Sequence, residues 1–198
     1  MSPRVSVVVP LNNEQANVEP LLDELREALR GLDPYEIIVV DDGSTDGTAA
    51  EIRRIGHETC GIRLLRHDTQ RGQSTAIYNG VYAARADVVV TLDGDLQNHP
   101  GDIPPLLDRF SADPTPDNLG LLIGHRTKRR DSLIRRVSSV IANTVRARVL
   151  HDDTPDTGCG LKVFRRSVFM RLPYFDHMHR FLPALMLRAG YRVKSVAV

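Results

Sequence analysis

The chain has 198 residues, 41% of them hydrophobic, with a net charge of +1 and two cysteines. That length suits one domain with a real core, and that hydrophobic share excludes a disordered chain. The near-neutral balance carries no information on partners, and Cys60 and Cys159 are too far apart for a disulfide framework or a metal spacing, which points to a reducing cytoplasm.

The elements alternate. Val5 to Val9 is a continuous apolar run, read as a buried parallel strand with no signal peptide before it. Val18, Leu21, Leu22, Leu25, Ala28 and Leu29 then mark one face of a helix closed by Gly31. The pattern predicts strands at 37–40 and 62–65 around a short helix at 48–55, then a helix at 74–84 and a central strand at 88–92. A helix at 102–110, a polar loop at 113–118 and a strand at 119–123 follow. Apolar residues at 133, 134, 137, 140, 141 and 145 predict an amphipathic helix over 133–150. A strand at 161–164, a helix at 181–189 and a last strand at 192–198 complete the chain. Strands alternating with helices imply a single α/β domain with a Rossmann-like, mainly parallel sheet flanked by helices. No apolar run approaches the roughly 20 residues of a spanning helix, so any membrane role is expected to be peripheral or to use segments outside this sequence.

In such sheets ligands bind beyond the carboxyl ends of the strands, and the polar clusters fall there. The first strand ends in Pro10-Leu-Asn-Asn-Glu14 and the second in Asp41-Asp-Gly-Ser-Thr-Asp-Gly47. A turn capped by Ser44 or Asp46 accounts for one of those three carboxylates. Adjacent carboxylates repel unless each has donors or a metal, and a nucleoside offers such donors. Gln70-Arg-Gly-Gln-Ser-Thr-Ala76 opens the third helix, but neither a dinucleotide fingerprint nor a P-loop is present.

The central strand carries the most informative motif, Val88-Val-Val-Thr-Leu-Asp-Gly-Asp-Leu-Gln97. On an extended backbone, residues two apart point the same way, so Asp93 and Asp95 can aim at one point, with Gly94 allowing close approach to the backbone. Hard oxygen ligands at a strand end suit Mg²⁺ or Mn²⁺, held by few protein groups and completed by substrate phosphates. The competing reading is a plain strand-ending turn.

Taken in order, these four segments resemble the family 2 glycosyltransferases of GT-A fold, and most closely the branch of dolichol-phosphate mannose synthase and the bacterial polyprenyl-phosphate sugar transferases. The likeness continues through Gly124-His-Arg126, Arg135 to Asn143, Asp156-Thr-Gly-Cys-Gly-Leu-Lys162 and His179-Arg-Phe-Leu-Pro183. The resemblance implies an inverting, metal-dependent transfer of a hexosyl group from an NDP-sugar, GDP- or UDP-linked, to a polyprenyl phosphate. It implies that Pro10, Asn13, Glu14, Asp42, Gln73 and Asp93 line the nucleotide site, and that Asp93, Asp95 and Gln97 surround the Mg²⁺ or Mn²⁺ and the diphosphate. It further implies that Arg126, Arg135 and Arg136 hold the acceptor phosphate, that Asp156 assists attack, and that His179 and Arg180 border the acceptor. Such relatives continue past the last strand into a further loop, often followed by membrane helices. Residues 1–198 are therefore expected to be the catalytic domain without that acceptor loop.

Between Arg126 and Arg148 eight Lys or Arg face one acid, Asp131. Paired arginines suit phosphate oxygens, and a basic helix face can lean on anionic headgroups, as expected of an enzyme at the inner face of the plasma membrane. No aromatic residue interleaves with those charges, which argues against a nucleic-acid partner. Two other readings stay open here: transfer to a saccharide hydroxyl, which would need a true general base, and a nucleotide-sugar binding module without turnover.

Overall fold

The structure, a computed structural model, describes residues 2–125 and 159–197. The helix expected over 133–150 lies outside the described residues, as do Arg126, Arg135, Arg136 and Asp156. The elements are β1 (Val5–Leu11), α1 (Gln15–Ala28), β2 (Tyr35–Asp41), α2 (Thr48–Glu58), β3 (Ile62–Arg66), α3 (Gln73–Ala83), β4 (Val88–Thr91), α4 (Ile103–Ser111), β5 (Leu119–His125), β6 (Lys162–Arg165), α5 (Met178–Arg188) and β7 (Arg192–Ala197). A 3₁₀ turn, Pro100–Asp102, leads into α4, and one helical turn, Arg166–Phe169, follows β6.

Seven strands form one sheet in the order β3-β2-β1-β4-β6-β5-β7. β6 runs antiparallel to both its neighbours, while the other pairings are parallel. Val7, Val8 and Val9 of β1 and Ile37, Ile38, Val39 and Val40 of β2 are fully buried, as expected of strands covered on both faces. α3 packs on β1 and β2 and touches α5, while α1 packs against α2 and the 3₁₀ turn. Chain order reverses at β1, which pairs with β2 on one side and β4 on the other. That reversal opens a crevice beyond the carboxyl ends of β1 and β4.

Two helices begin earlier than the apolar pattern indicates. α1 starts at Gln15, with Pro20 inside it. Pro20 is exposed and so is Ala16, so the carbonyl that loses its donor to the proline ring can meet water. α5 starts at Met178, after His177 in the left-handed region at φ 63°, and keeps Pro183 inside.

The amino ends of the central strands are closed by a carboxylate. Glu36 is buried, and one of its oxygens accepts from Ser6 Oγ at 2.7 Å and from the Arg85 N–H at 2.6 Å. Its other oxygen pairs with Arg63 at 2.7 Å. Burial pushes the Glu36 carboxyl up, but these donors outweigh burial and hold it below the usual carboxylate range. At the sheet edge Asp113 plays a similar part. Its carboxylate accepts from Arg192, from Lys194 Nζ at 2.6 Å and from the Thr115 N–H at 2.9 Å, which ties β7 to the loop before β5.

Candidate active site

The ends of β1, β2 and β4 meet the start of α3 around a cleft of about 280 Å³. It is lined by Pro10, Leu11, Asn12, Glu14, Asp42, Gln70, Gln73, Asp93, Gly94 and Asp95. Six residues expected at the nucleotide or metal site thus share one wall: Pro10, Glu14, Asp42, Gln73, Asp93 and Asp95. The described lining holds four carboxylates and no Lys or Arg.

The loop after β2 shows how its crowded carboxylates coexist. Asp41 accepts the Ser44 N–H at 3.0 Å, and its other oxygen lies 3.1 Å from Arg66 Nε. Asp46 takes the first N–H of α2, from Thr48, at 3.0 Å and the Gln15 N–H at 3.3 Å. Asp42 Oδ1 accepts the Arg71 N–H at 2.8 Å and lies 2.7 Å from His67 Nδ1, while Oδ2 accepts the Gly72 N–H at 2.8 Å. The chain itself therefore supplies the donors that the sequence reading assigned to a nucleoside. Asp42 lines the cleft and also fixes the loop that delivers α3.

The carboxylates after β4 are held differently. Asp93 Oδ1 accepts from Gln73 Nε2 at 2.7 Å. Its carboxylate lies over the Gly160 Cα, where a Cβ would come within 2.2 Å of the carboxyl carbon. Thr91 Oγ1 donates to the Gly160 carbonyl at 2.9 Å, fixing this seat from the strand below. Gly94 is needed too, since a Cβ there would fall 1.9 Å from Leu11 Cδ2. The close approach expected at Gly94 is thus made by the β1 side chain. Asp95 is exposed and accepts the Gln97 N–H at 3.1 Å in a local Asx turn.

Two of the expected donor-site residues stand outside the lining. Asn13, at φ 56°, accepts the Thr45 N–H at 2.9 Å. It borders a larger, open hollow of about 560 Å³ with Glu14, Glu19, Asp46 and Glu51. Gln97 follows Asp95 but is absent from the cleft wall. His179 lies at the start of α5 and Arg180 beside it is exposed. Ser74 Oγ accepts the His179 N–H at 3.3 Å and meets His179 Nδ1 at 2.7 Å. When the hydroxyl donates to Nδ1, Nε2 carries the ring proton of a neutral imidazole; when Nδ1 carries it, the hydroxyl oxygen accepts. Burial, then the nearby charges of Lys162 and Arg180, bring the His179 value down to about 4.

Sequence reasoning missed Leu11, Asn12, Gln70 and Lys162. Asn12 donates to the Asp42 carbonyl at 2.7 Å and accepts from Gln70 Nε2 at 3.2 Å, so the two amides bridge the ends of β1 and β3. Both lie within motifs already marked, but nothing in the spacing distinguishes them from their neighbours. Lys162 is buried, donates to the Cys159 carbonyl and pairs across the sheet with Thr91. A lysine opening a strand gives no sign of burial until its sheet partners are known. Cys159 is buried filler, as expected, and its thiol meets Asn98 Oδ1 at 3.2 Å.

Residues 6–172 match the Glycosyl transferase family 2. A mannosyltransferase from Pyrobaculum calidifontis, solved in complex with GDP-Man and Mn²⁺, superposes with a TM-score of 0.75. That match has 25% identity and covers 100% of this chain and 55% of the other. Glucosyl-3-phosphoglycerate synthase from Mycobacterium tuberculosis, in complex with UDP, shares the fold at a TM-score of 0.75 and 23% identity over 98% of this chain and 70% of its own. The fold is that of the GT-A glycosyltransferases. The chain belongs to glycosyltransferase family 2. Among its relatives, the dodecaprenyl-phosphate galacturonate synthase of Rhizobium johnstonii is 37% identical over 91% of this chain. The undecaprenyl-phosphate 4-deoxy-4-formamido-L-arabinose transferase of Serratia proteamaculans is 34% identical over 98%. The chain spans 53% and 59% of the lengths of these two relatives.

Proposed function

We propose that this chain catalyses inverting transfer of a hexosyl group from an NDP-sugar to a polyprenyl phosphate at the cytoplasmic face of a membrane. The supporting observation is the cleft at the chain reversal, where Asp42, Asp93 and Asp95 meet Pro10, Glu14 and Gln73. A diphosphate entering a described lining of four carboxylates and no Lys or Arg would be repelled without a cation. The donor set fits Mg²⁺ or Mn²⁺, which take hard oxygens and leave positions for phosphate oxygens. Among the described residues no group of three or more His, Cys, Asp or Glu converges on a metal position. Asp93 and Asp95 would therefore be its chief protein ligands, with nucleotide oxygens completing the shell. Bound there, the metal would supply charge neutralisation for the departing diphosphate.

The chain's own part is positioning. Gln73 and the Gly160 seat orient Asp93, and the Asn12–Gln70 bridge walls the nucleotide side. A phosphate acceptor is already anionic near neutral pH, so placement and charge neutralisation outweigh proton removal. In this reading an acceptor oxygen attacks the anomeric carbon from the face opposite the leaving diphosphate. Arg126, Arg135 and Arg136 would hold the acceptor phosphate, and Asp156 would assist attack.

No helix among the described residues is long and apolar enough to cross a membrane. The test is sugar transfer from a panel of GDP- and UDP-sugars to a short polyprenyl phosphate, with and without Mn²⁺. Transfer that needs the metal and a polyprenyl phosphate upholds the reading. Nucleotide binding without turnover, or transfer to a saccharide hydroxyl alone, overturns it.

A further inference from the structure

The chain has five phenylalanines. Phe110, Phe164 and Phe169 are buried, whereas Phe175 and Phe181 are each 38% exposed and Tyr174 is 48% exposed. These three exposed rings belong to one stretch, the loop before α5 and its first turn. Phe175 and Phe181 lie 5.9 Å apart between ring centroids. Tyr174 is 4.9 Å from Tyr78 of α3, and its hydroxyl meets Thr75 Oγ1 at 2.7 Å. The stretch is thus pinned to the first turns of α3, whose Gln73 reaches Asp93. A second pin, Ser74 to His179, joins the same two helix starts. The aromatic stretch is therefore tied to the start of the helix that brings Gln73 to the cleft wall. Arg180 and Arg71, both exposed, lie next in sequence to Phe181 and to Gly72, and a Cβ at Gly72 would stand 3.8 Å from the Asp176 carboxylate.

Resting on the functional reading above, we propose that Tyr174, Phe175 and Phe181 form the subsite for the third and fourth isoprene units of the acceptor chain. The acceptor is an amphiphile, with an anionic head that must reach the cleft and a branched apolar tail that must leave it. An apolar surface tied to the start of α3, which carries Gln73 to the cleft wall, suits the part of the tail that leads away from the head. Rings with few rotatable bonds pack against such a tail at small entropic cost. Exposed phenylalanines contiguous with a site are the kind of apolar patch that marks a ligand surface.

The experiment uses the full chain in detergent, with polyprenyl phosphates of two and of about four isoprene units. Burying two further units against the rings should lower the acceptor KM of the wild type about tenfold. F175S/F181S should abolish that gain, raising KM for the longer acceptor about tenfold while leaving KM for the shorter one, the donor KM and kcat within about twofold. F175L/F181L, which keeps apolar bulk, should restore most of the gain. An equal KM rise for both acceptors, or none for either, overturns the proposal. So does a variant that loses only sedimentation with phospholipid vesicles, which would make the rings a bilayer contact. Failure of the wild type to use any polyprenyl phosphate overturns the functional reading itself, and the subsite with it.

Discussion

The two ends of the central strands bind carboxylates in opposite ways. At the amino end, Glu36 is buried and receives a hydroxyl, a backbone N–H and a guanidinium. Its charge is spent inside the fold. At the carboxyl end, Asp93 rests on a glycine with an amide at one oxygen, and Asp95 is exposed in its own turn. Asp42, between them in character, lines the cleft but holds three protein donors. Glu36 is enclosed by its donors, whereas Asp93 and Asp95 stand on the wall of the cleft.

That contrast is broken most directly at Asp95. D95A should lower sugar transfer about 100-fold or more, the scale on which a single electrostatic contact to a developing charge acts. Its urea midpoint should stay near that of the wild type, because the residue is exposed. A large fall in stability with activity retained would reverse the assignment. The opposite pattern is expected at the other end. E36A strands Ser6 and Arg63, and a broken buried pair costs about 3 kcal/mol, somewhat less here because Arg63 is 32% exposed. Urea unfolding should show that loss, while transfer per folded molecule changes less than about twofold.

Gly160 sharpens the comparison by moving Asp93 without removing it. G160A places a methyl where the Asp93 carboxylate now lies, so the carboxylate must turn away. Activity should fall about 10-fold to 100-fold, as for loss of a group that orients a metal ligand, with the Mn²⁺ concentration for half-maximal rate rising in step. An unchanged metal requirement would show that Asp93 is not seated by this glycine.

The legible part of this molecule was the part set by local pattern. β1, β2 and β4 announce themselves as unbroken apolar runs because both faces are covered, and the site motifs follow them directly. Burial at Lys162 depends on β6 lying between β4 and β5, a non-local pairing that periodicity does not carry. The early start of α1 and α5 lies before the apolar faces read from the sequence begin, and each helix carries a proline inside it, Pro20 and Pro183. The donors to Asp42 come from residues 67–72, 25 to 30 positions away. Its dual character could not be read from the Asp-Asp-Gly-Ser motif alone.

His179 gives the smallest effect and the finest probe of the junction between α3 and α5. Its folded value of about 4 lies below the ordinary 6.5, so as pH falls the unfolded chain takes up this proton first. The imidazole's contribution to stability is then fully present above about 6.5, declines between 6.5 and 4, and is gone below 4. The shift corresponds to about 3 kcal/mol at most, and partial access to solvent reduces this to about 1–2 kcal/mol. H179Q keeps an amide near Ser74 but cannot titrate, so its urea midpoint should vary less between pH 7 and pH 4.5 than that of the wild type. Equal slopes for the two proteins would mean that the ring takes up its proton over the same pH range in the folded and the unfolded chain. With the ring protonated, Nδ1–H would donate to the Ser74 oxygen, so the tie between the two helix starts would persist with its direction reversed.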